Sequence, residues 1–189
     1  MTAVTTTLPA AWRNAEDAAV RDAVEAHYEV LWRFLRRMGV DEHQVEDAAQ
    51  QVLIVFARRT ADVPREAARS FLLGTALRVA SDWRRKDARA GDAVAIDSLG
   101  DHAHPDPDAE HVVAQREMRQ MLDRVLDALS PELRAVFVLA ELEEMTMAAI
   151  ARALSIPPGT VASRLRRARE VFGARAGELR AQMEYGGTR

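Results

Sequence analysis

Four arginines crowd one short stretch of this chain. Arg164, Arg166, Arg167 and Arg169 follow the break Ser155-Ile156-Pro157 within TMAAIARALSIPPGTVASRLRRAR, residues 146–169. A guanidinium is a permanent cation with a planar fork of donors, which suits phosphate oxygens and the acceptor edges of bases. Apolar groups recur on both sides of the break, at Ile150, Ala151 and Leu154 and then at Val161, Leu165 and Ala168. Two short helices about a tight turn, the second cationic, make a helix-turn-helix whose reading helix opens at Pro158-Gly159-Thr160. A solvated amphipathic helix could also carry arginines. It would need neither the break nor the small Ala151 and Ser155 that let two helices approach. The combination predicts DNA binding.

Two further groups have spacing that could do chemistry. Arg78, Asp82, Arg85 and Arg89 fall on one face of a helical pattern, with Trp83, Arg84 and Lys86 alongside. Cations beside an aromatic suit a DNA backbone and stacking on unpaired bases, although a tryptophan alone is more often a core residue. Glu46, Asp47, Gln50 and Gln51 form a polar, arginine-poor face beside an apolar stripe, which reads as a solvated surface or as a docking surface for a protein partner. His102, His104 and His111 lie in an acidic, proline-rich stretch with nothing to orient them, so neither catalysis nor a metal site is expected there. The chain has no cysteine, which excludes disulfides and thiolate metal sites.

Positioning these groups requires packed elements. The 189 residues, 48% of them hydrophobic, suffice for one domain or two small ones. A net charge of −3 hides strong segregation. Residues 67–90 hold six basic and two acidic groups, residues 91–115 six acids and no Arg or Lys, and residues 150–189 eight Arg and three Glu. Basic patches on either side of an acidic strip matter more for nucleic-acid binding than the overall sign. No apolar run approaches a membrane span, and MTAVTTTLPAAWRN lacks the pattern of a signal peptide, so a soluble, cytoplasmic chain with no membrane insertion is expected.

After a disordered lead over residues 1–14, apolar steps of three and four predict a helix over about 16–38, ended by Gly39. A second helix is expected over 42–59 behind a cap at Asp41, then a loop through Pro64, then a third helix over 70–88 ending in Arg84-Arg85-Lys86. Periodicity lapses over 90–111, AGDAVAIDSLGDHAHPDPDAEH, the composition of a linker. It resumes from Val112, and Ser130-Pro131 caps a helix over 131–143 that leads into the helix-turn-helix. No segment alternates with period two. The fold class is therefore all-α: two small helical domains, 15–89 and 112–180, joined by an acidic flexible linker, with a tail over 181–189.

Together these segments resemble an extracytoplasmic-function sigma factor of the sigma-70 family. EDAAQQVLIVF (46–56) resembles the family's segment that binds core polymerase, and FLLGTALRVASDWRRK (71–86) its promoter-melting and minus-ten segment. LDALSPELRAVFVLAELEEMT (126–146) followed by IPPGTVASRLRRARE (156–170) resembles its minus-thirty-five domain. The match there includes Pro131, Arg134, Gly159-Thr160-Val161, Ser163-Arg164-Leu165 and Arg167-Ala168-Arg169. Ala148-Ala149, Arg78 and Ala162 depart from the family's usual acidic, Asn and basic residues, which puts the promoter sequence, but not the fold, outside family averages.

The resemblance implies a dissociable specificity subunit of RNA polymerase with no cofactor, no metal and no catalysis of its own. Core RNA polymerase and promoter DNA are the implied partners, with an anti-sigma factor as a further one. Asp47, Gln50, Gln51, Val52 and Phe56 would seat the second helix on polymerase. Arg78, Asp82, Trp83, Arg84, Arg85 and Lys86 would meet the minus-ten region, and Thr160, Ser163, Arg164, Arg166, Arg167 and Arg169 the minus-thirty-five groove. The alternative is a sigma-like decoy that titrates an anti-sigma regulator; loss of the basic groups would favour it, and they are present. The acidic linker would serve as a tether, and could also mask the basic segments in the free protein.

Overall fold

The structure, a computed structural model, describes residues 15–91, 118 and 121–186. Among them every regular element is helical. The lead over 1–14, most of the linker and its three histidines lie outside the described residues. Helix α1 runs Ala15–Arg37, α2 Val45–Ala57 and α3 Ala68–Gly91, with two short 3-10 turns, Thr60–Asp62 and Arg65–Ala67, between α2 and α3. A helical segment over 121–126, here α4, precedes α5 (Pro131–Phe137), and α6 (Met147–Leu154) and α7 (Pro158–Gly186) follow. None of these helices is long and apolar enough to cross a membrane.

Local chemistry explains the boundaries. Gly39 ends α1 at φ 86°, and Gly39 N donates to Arg36 O at 2.9 Å while Val40 N donates to Leu35 O at 3.1 Å. This paired pattern closes the open carbonyls of the last turn around a left-handed residue. Asp41 Oδ1 accepts from His43 N at 2.9 Å and turns the chain into α2. Ser130 caps α5 through Leu133 N, with Pro131 at the first helical position. The helix expected over 131–143 is only partly α-helical, because a wider π-helical turn, Val138–Leu142, takes over after Phe137. The last helix continues to Gly186, through most of the stretch read from sequence as a tail.

Leu31, Phe34, Leu35 and Met38 of α1 pack with Val45, Val52 and Phe56 of α2 and Leu72, Leu73 and Ala76 of α3, all buried. Phe56 meets Phe71 with ring centroids 6.0 Å apart. In the second half, Val136 and Leu139 pack with Ile150, Val161, Leu165 and Ala168, and Phe137 stacks on Phe172 at 4.4 Å. The two halves share one apolar cluster, with α3 packed across α6.

Candidate nucleic-acid interface

The helix-turn-helix is built by backbone first. Thr146 caps α6 by accepting from Ala149 N at 3.2 Å. The helix ends at Ser155, which adopts the left-handed conformation at φ 55° and ψ 42°. Ile156 N then donates to Ala151 O at 3.1 Å, and Ser155 N to Arg152 O at 3.2 Å, the same closing pattern as at Gly39. Pro157 O collects Thr160 N and Val161 N at 2.9 and 3.1 Å as α7 begins. Val161, Leu165 and Ala168 face the core, so the residues between them must face out.

Ser163, Arg166, Arg167 and Arg169 are exposed on α7, while Thr160 and Arg164 are half-buried. Their fates differ. Arg169 is drawn sideways to Glu141, whose Oε1 accepts from both Nε at 2.9 Å and a terminal nitrogen at 2.6 Å. Arg167 pairs with Glu170 one turn on, at 3.1 Å. Ser163 Oγ donates to Thr160 O at 3.0 Å. Arg166 has no side-chain partner among the described residues, leaving its guanidinium for a ligand.

The face of α3 carries the second basic group. Arg78, Asp82, Arg85 and Lys86 are exposed, and Arg85 pairs with Asp82. Trp83 is half-buried, packed against the edge of the core: Lys86 Nζ stands 5.4 Å from its ring centroid, and its Nε1 donates to Gln51 Oε1 at 3.3 Å. Arg84 is half-buried against the turn at Gly39. Arg84 and Arg164, from opposite halves, both act on Glu132. Its own backbone N–H and the Ser130 hydroxyl hold that carboxyl below the usual range, and the two guanidinia add to the effect.

On α2, Glu46, Asp47, Gln50, Gln51, Ile54 and Val55 form one exposed stripe, at the three- and four-residue steps of a helix face. Val52 and Phe56 do not belong to it. Both lie within the core, where the helical period puts them, so any part they have in seating α2 on a partner is as support behind the stripe. The apolar groups on the stripe are Ile54 and Val55, each 39% exposed, which periodicity alone assigned to no surface. Gln51 joins this stripe to the α3 face through Trp83.

Sequence reasoning also missed a buried ionic cluster. The Glu143 side chain is 1% exposed and accepts from Arg37 at 2.7 Å, with Arg69 at 3.5 Å; its backbone oxygen takes a second bond from Arg69 at 2.8 Å. Buried Arg134 donates to Asp127 at 2.6 Å and through Nε to Arg37 O. Three glutamates at 141, 143 and 144 carry no periodic signal that singles out the middle one.

Comparison with known proteins agrees with this geometry. The family described as "Sigma-70 region 2" matches residues 23–90, and "Sigma-70, region 4" matches residues 119–171. The ECF RNA polymerase sigma factor SigL of Mycobacterium tuberculosis is 32% identical over 158 residues, covering 80% of this chain and 85% of SigL. An RNA polymerase sigma-E factor of Streptomyces avermitilis is 29% identical, covering 82% of this chain and 83% of its own. The ECF sigma factor SigE of Mycolicibacterium smegmatis is 25% identical; 79% of this chain is matched, but it spans only 58% of that relative. Among solved structures, CnrH in complex with the cytosolic domain of CnrY shares the fold at a TM-score of 0.61 and 20% identity, over 85% of this chain and 96% of that one. The sigma factor RpoE of Bartonella quintana, solved with the anti-sigma factor NepR, does so at 0.59 and 17%, over 82% and 94%. With both sigma regions matched in order and SigL covered over most of its length, this chain belongs to the extracytoplasmic-function RNA polymerase sigma factors of the sigma-70 family.

Proposed function

We propose that the chain directs RNA polymerase to a specific set of promoters through three surfaces, each with one task. The α2 stripe, Asp47, Gln50 and Gln51 with Ile54 and Val55, seats on core polymerase. Val52 and Phe56 support the stripe from behind. The α3 face, Arg78, Asp82, Trp83, Arg84, Arg85 and Lys86, receives the minus-ten region, with cations on phosphate and the Trp83 ring available to an unpaired base. Thr160, Ser163, Arg164, Arg166 and Arg167 of α7 face the minus-thirty-five major groove. Arg169, held by Glu141, braces the helix beside it. Phosphate contacts position such a module, and only side chains reaching base edges specify sequence.

The observation that carries this reading is the arginine face of α7, kept in solvent by the buried Val161, Leu165 and Ala168, on the same chain as the arginine-free stripe of α2 with its two acids, Glu46 and Asp47. The chain makes no bond itself. Polymerase supplies the nucleotidyl transfer, and the site of action is where polymerase and chromosome are, the cytoplasm. The two structural neighbours were solved with CnrY and with the anti-sigma factor NepR, and a regulator of the anti-sigma kind is the expected further partner here. In vitro transcription with core polymerase on genomic fragments, with and without the chain, tests the proposal. Discrete new start sites are expected, and a transcript pattern indifferent to the chain refutes it.

A further inference from the structure

Trp83 is held from two sides by residues of different helices. Its indole N–H donates to Gln51 Oε1 at 3.3 Å, 32 positions back along the chain. An indole nitrogen can only donate, so the carbonyl oxygen of Gln51 must face it and the amide NH2 turns away. The bond joins two elements whose spacing is already fixed by buried Val52 and Phe56 of α2 and Leu72, Leu73 and Ala76 of α3. A tryptophan side chain has two broad orientations about its second torsion, and only one of them points the N–H at Gln51. The bond therefore selects one of two orientations for a ring that is only half-buried.

The other neighbour is Lys86, one turn further along α3, with Nζ 5.4 Å from the ring centroid. It is the only lysine among the 26 Lys and Arg residues of the chain. A guanidinium lies flat on an aromatic face and occupies it, whereas an ammonium is a point charge on a flexible stem. The cover on this ring is thus a cation that can swing away to a phosphate and leave the face to a base. Stacking of a base gains most on a ring fixed beforehand, because the cost of ordering it has been met before the encounter. We infer that Gln51 is a positioning residue for minus-ten recognition: from the polymerase-binding helix, its Oε1 sets the Trp83 ring in the orientation on which an unpaired base stacks. The inference rests on the proposed function and adds a second task for Gln51, whose outward NH2 stays available to polymerase.

The bond is read in the free full-length chain from the indole N–H resonances of its three tryptophans. Gln51→Leu, which removes the acceptor, is expected to move the Trp83 signal upfield and leave those of Trp12 and Trp32 in place. Gln51→Glu, which keeps an acceptor, should hold the Trp83 signal downfield. The functional consequence is the rate of open-complex formation on a promoter that the chain serves, with core polymerase saturated by the factor so that seating does not limit. Gln51→Leu is expected to slow it roughly fivefold, the factor of one neutral hydrogen bond. Gln51→Glu should restore most of the rate. In a Trp83→Phe background, which keeps a ring but has no N–H to hold, Gln51→Leu should cost little more. An unmoved Trp83 resonance in Gln51→Leu would overturn the bond. A loss as large in the Trp83→Phe background as in wild type, or no loss at all in wild type, would overturn the positioning role. If Trp83→Phe does not fold, failure of Gln51→Glu to restore the rate overturns it instead. A wild-type chain that opens no promoter removes the proposed function itself, and the resonances still decide whether Gln51 holds the ring.

Discussion

Arg166 and Arg169 lie three positions apart on α7, yet their surroundings give them different work. Arg166 projects into solvent without a partner, whereas Arg169 is bonded through two nitrogens to Glu141. A bidentate arginine–base contact is worth about 1–3 kcal/mol of discrimination, and a phosphate or bracing contact carries no sequence information. Arg166→Ala and Arg167→Ala are therefore expected to lose about 1–3 kcal/mol on the preferred promoter and to relax preference at one base pair each. Arg169→Ala should weaken every sequence to a similar extent. Binding measured across a panel of single-base promoter variants checks this; equal losses on all variants for all three substitutions would remove the division.

Helix α2 shows how one element serves two masters. Its inner face, Val45, Ala49, Val52 and Phe56, is buried against α1 and α3, and its outer face offers Asp47, Gln50, Gln51, Ile54 and Val55. Substitutions on the two faces should fail differently. Asp47→Arg with Gln50→Ala is expected to weaken binding to core polymerase while melting stays nearly unchanged, since exposed substitutions away from special features usually fall within about 0.5 kcal/mol. Phe56→Ala should cost about 3–5 kcal/mol of folding stability instead. Paired measurements of melting and polymerase affinity distinguish the two, and undiminished affinity in the Asp47/Gln50 variant would move the docking site elsewhere.

At the scale of the whole molecule, the contact between the halves has two sources to tell apart, and they respond differently to salt. The six acids of residues 91–115, between basic segments, could draw the halves together through solvent, an attraction screened over about 8–10 Å at physiological salt. The junction observed here is instead apolar packing with a carboxylate 1% exposed. Buried pairs are screened far less. The radius of gyration of the free chain is therefore expected to stay constant from low to high salt. Expansion on adding salt would assign closure to the acidic segment rather than to α3 and α6.

Much of this molecule was readable along the chain because its signals are local. Steps of three and four placed α1, α2 and α3; Gly39, Ser130-Pro131 and the Ser155–Pro157 break placed the boundaries; and the arginines of α7 named the reading face. Each depends on backbone conformation and helical period, which neighbouring residues determine. The same period put Val45, Ala49, Val52 and Phe56 on the inner face of α2, where they lie; it gave no role to Ile54 and Val55, whose exposure depends on what packs beside them. Nor could it pair Arg37 with Glu143, 106 positions away, or bring Gly74 beneath Ala153. Those contacts cost chain entropy that no local pattern records, and only the assembled core decides which distant groups are left facing one another.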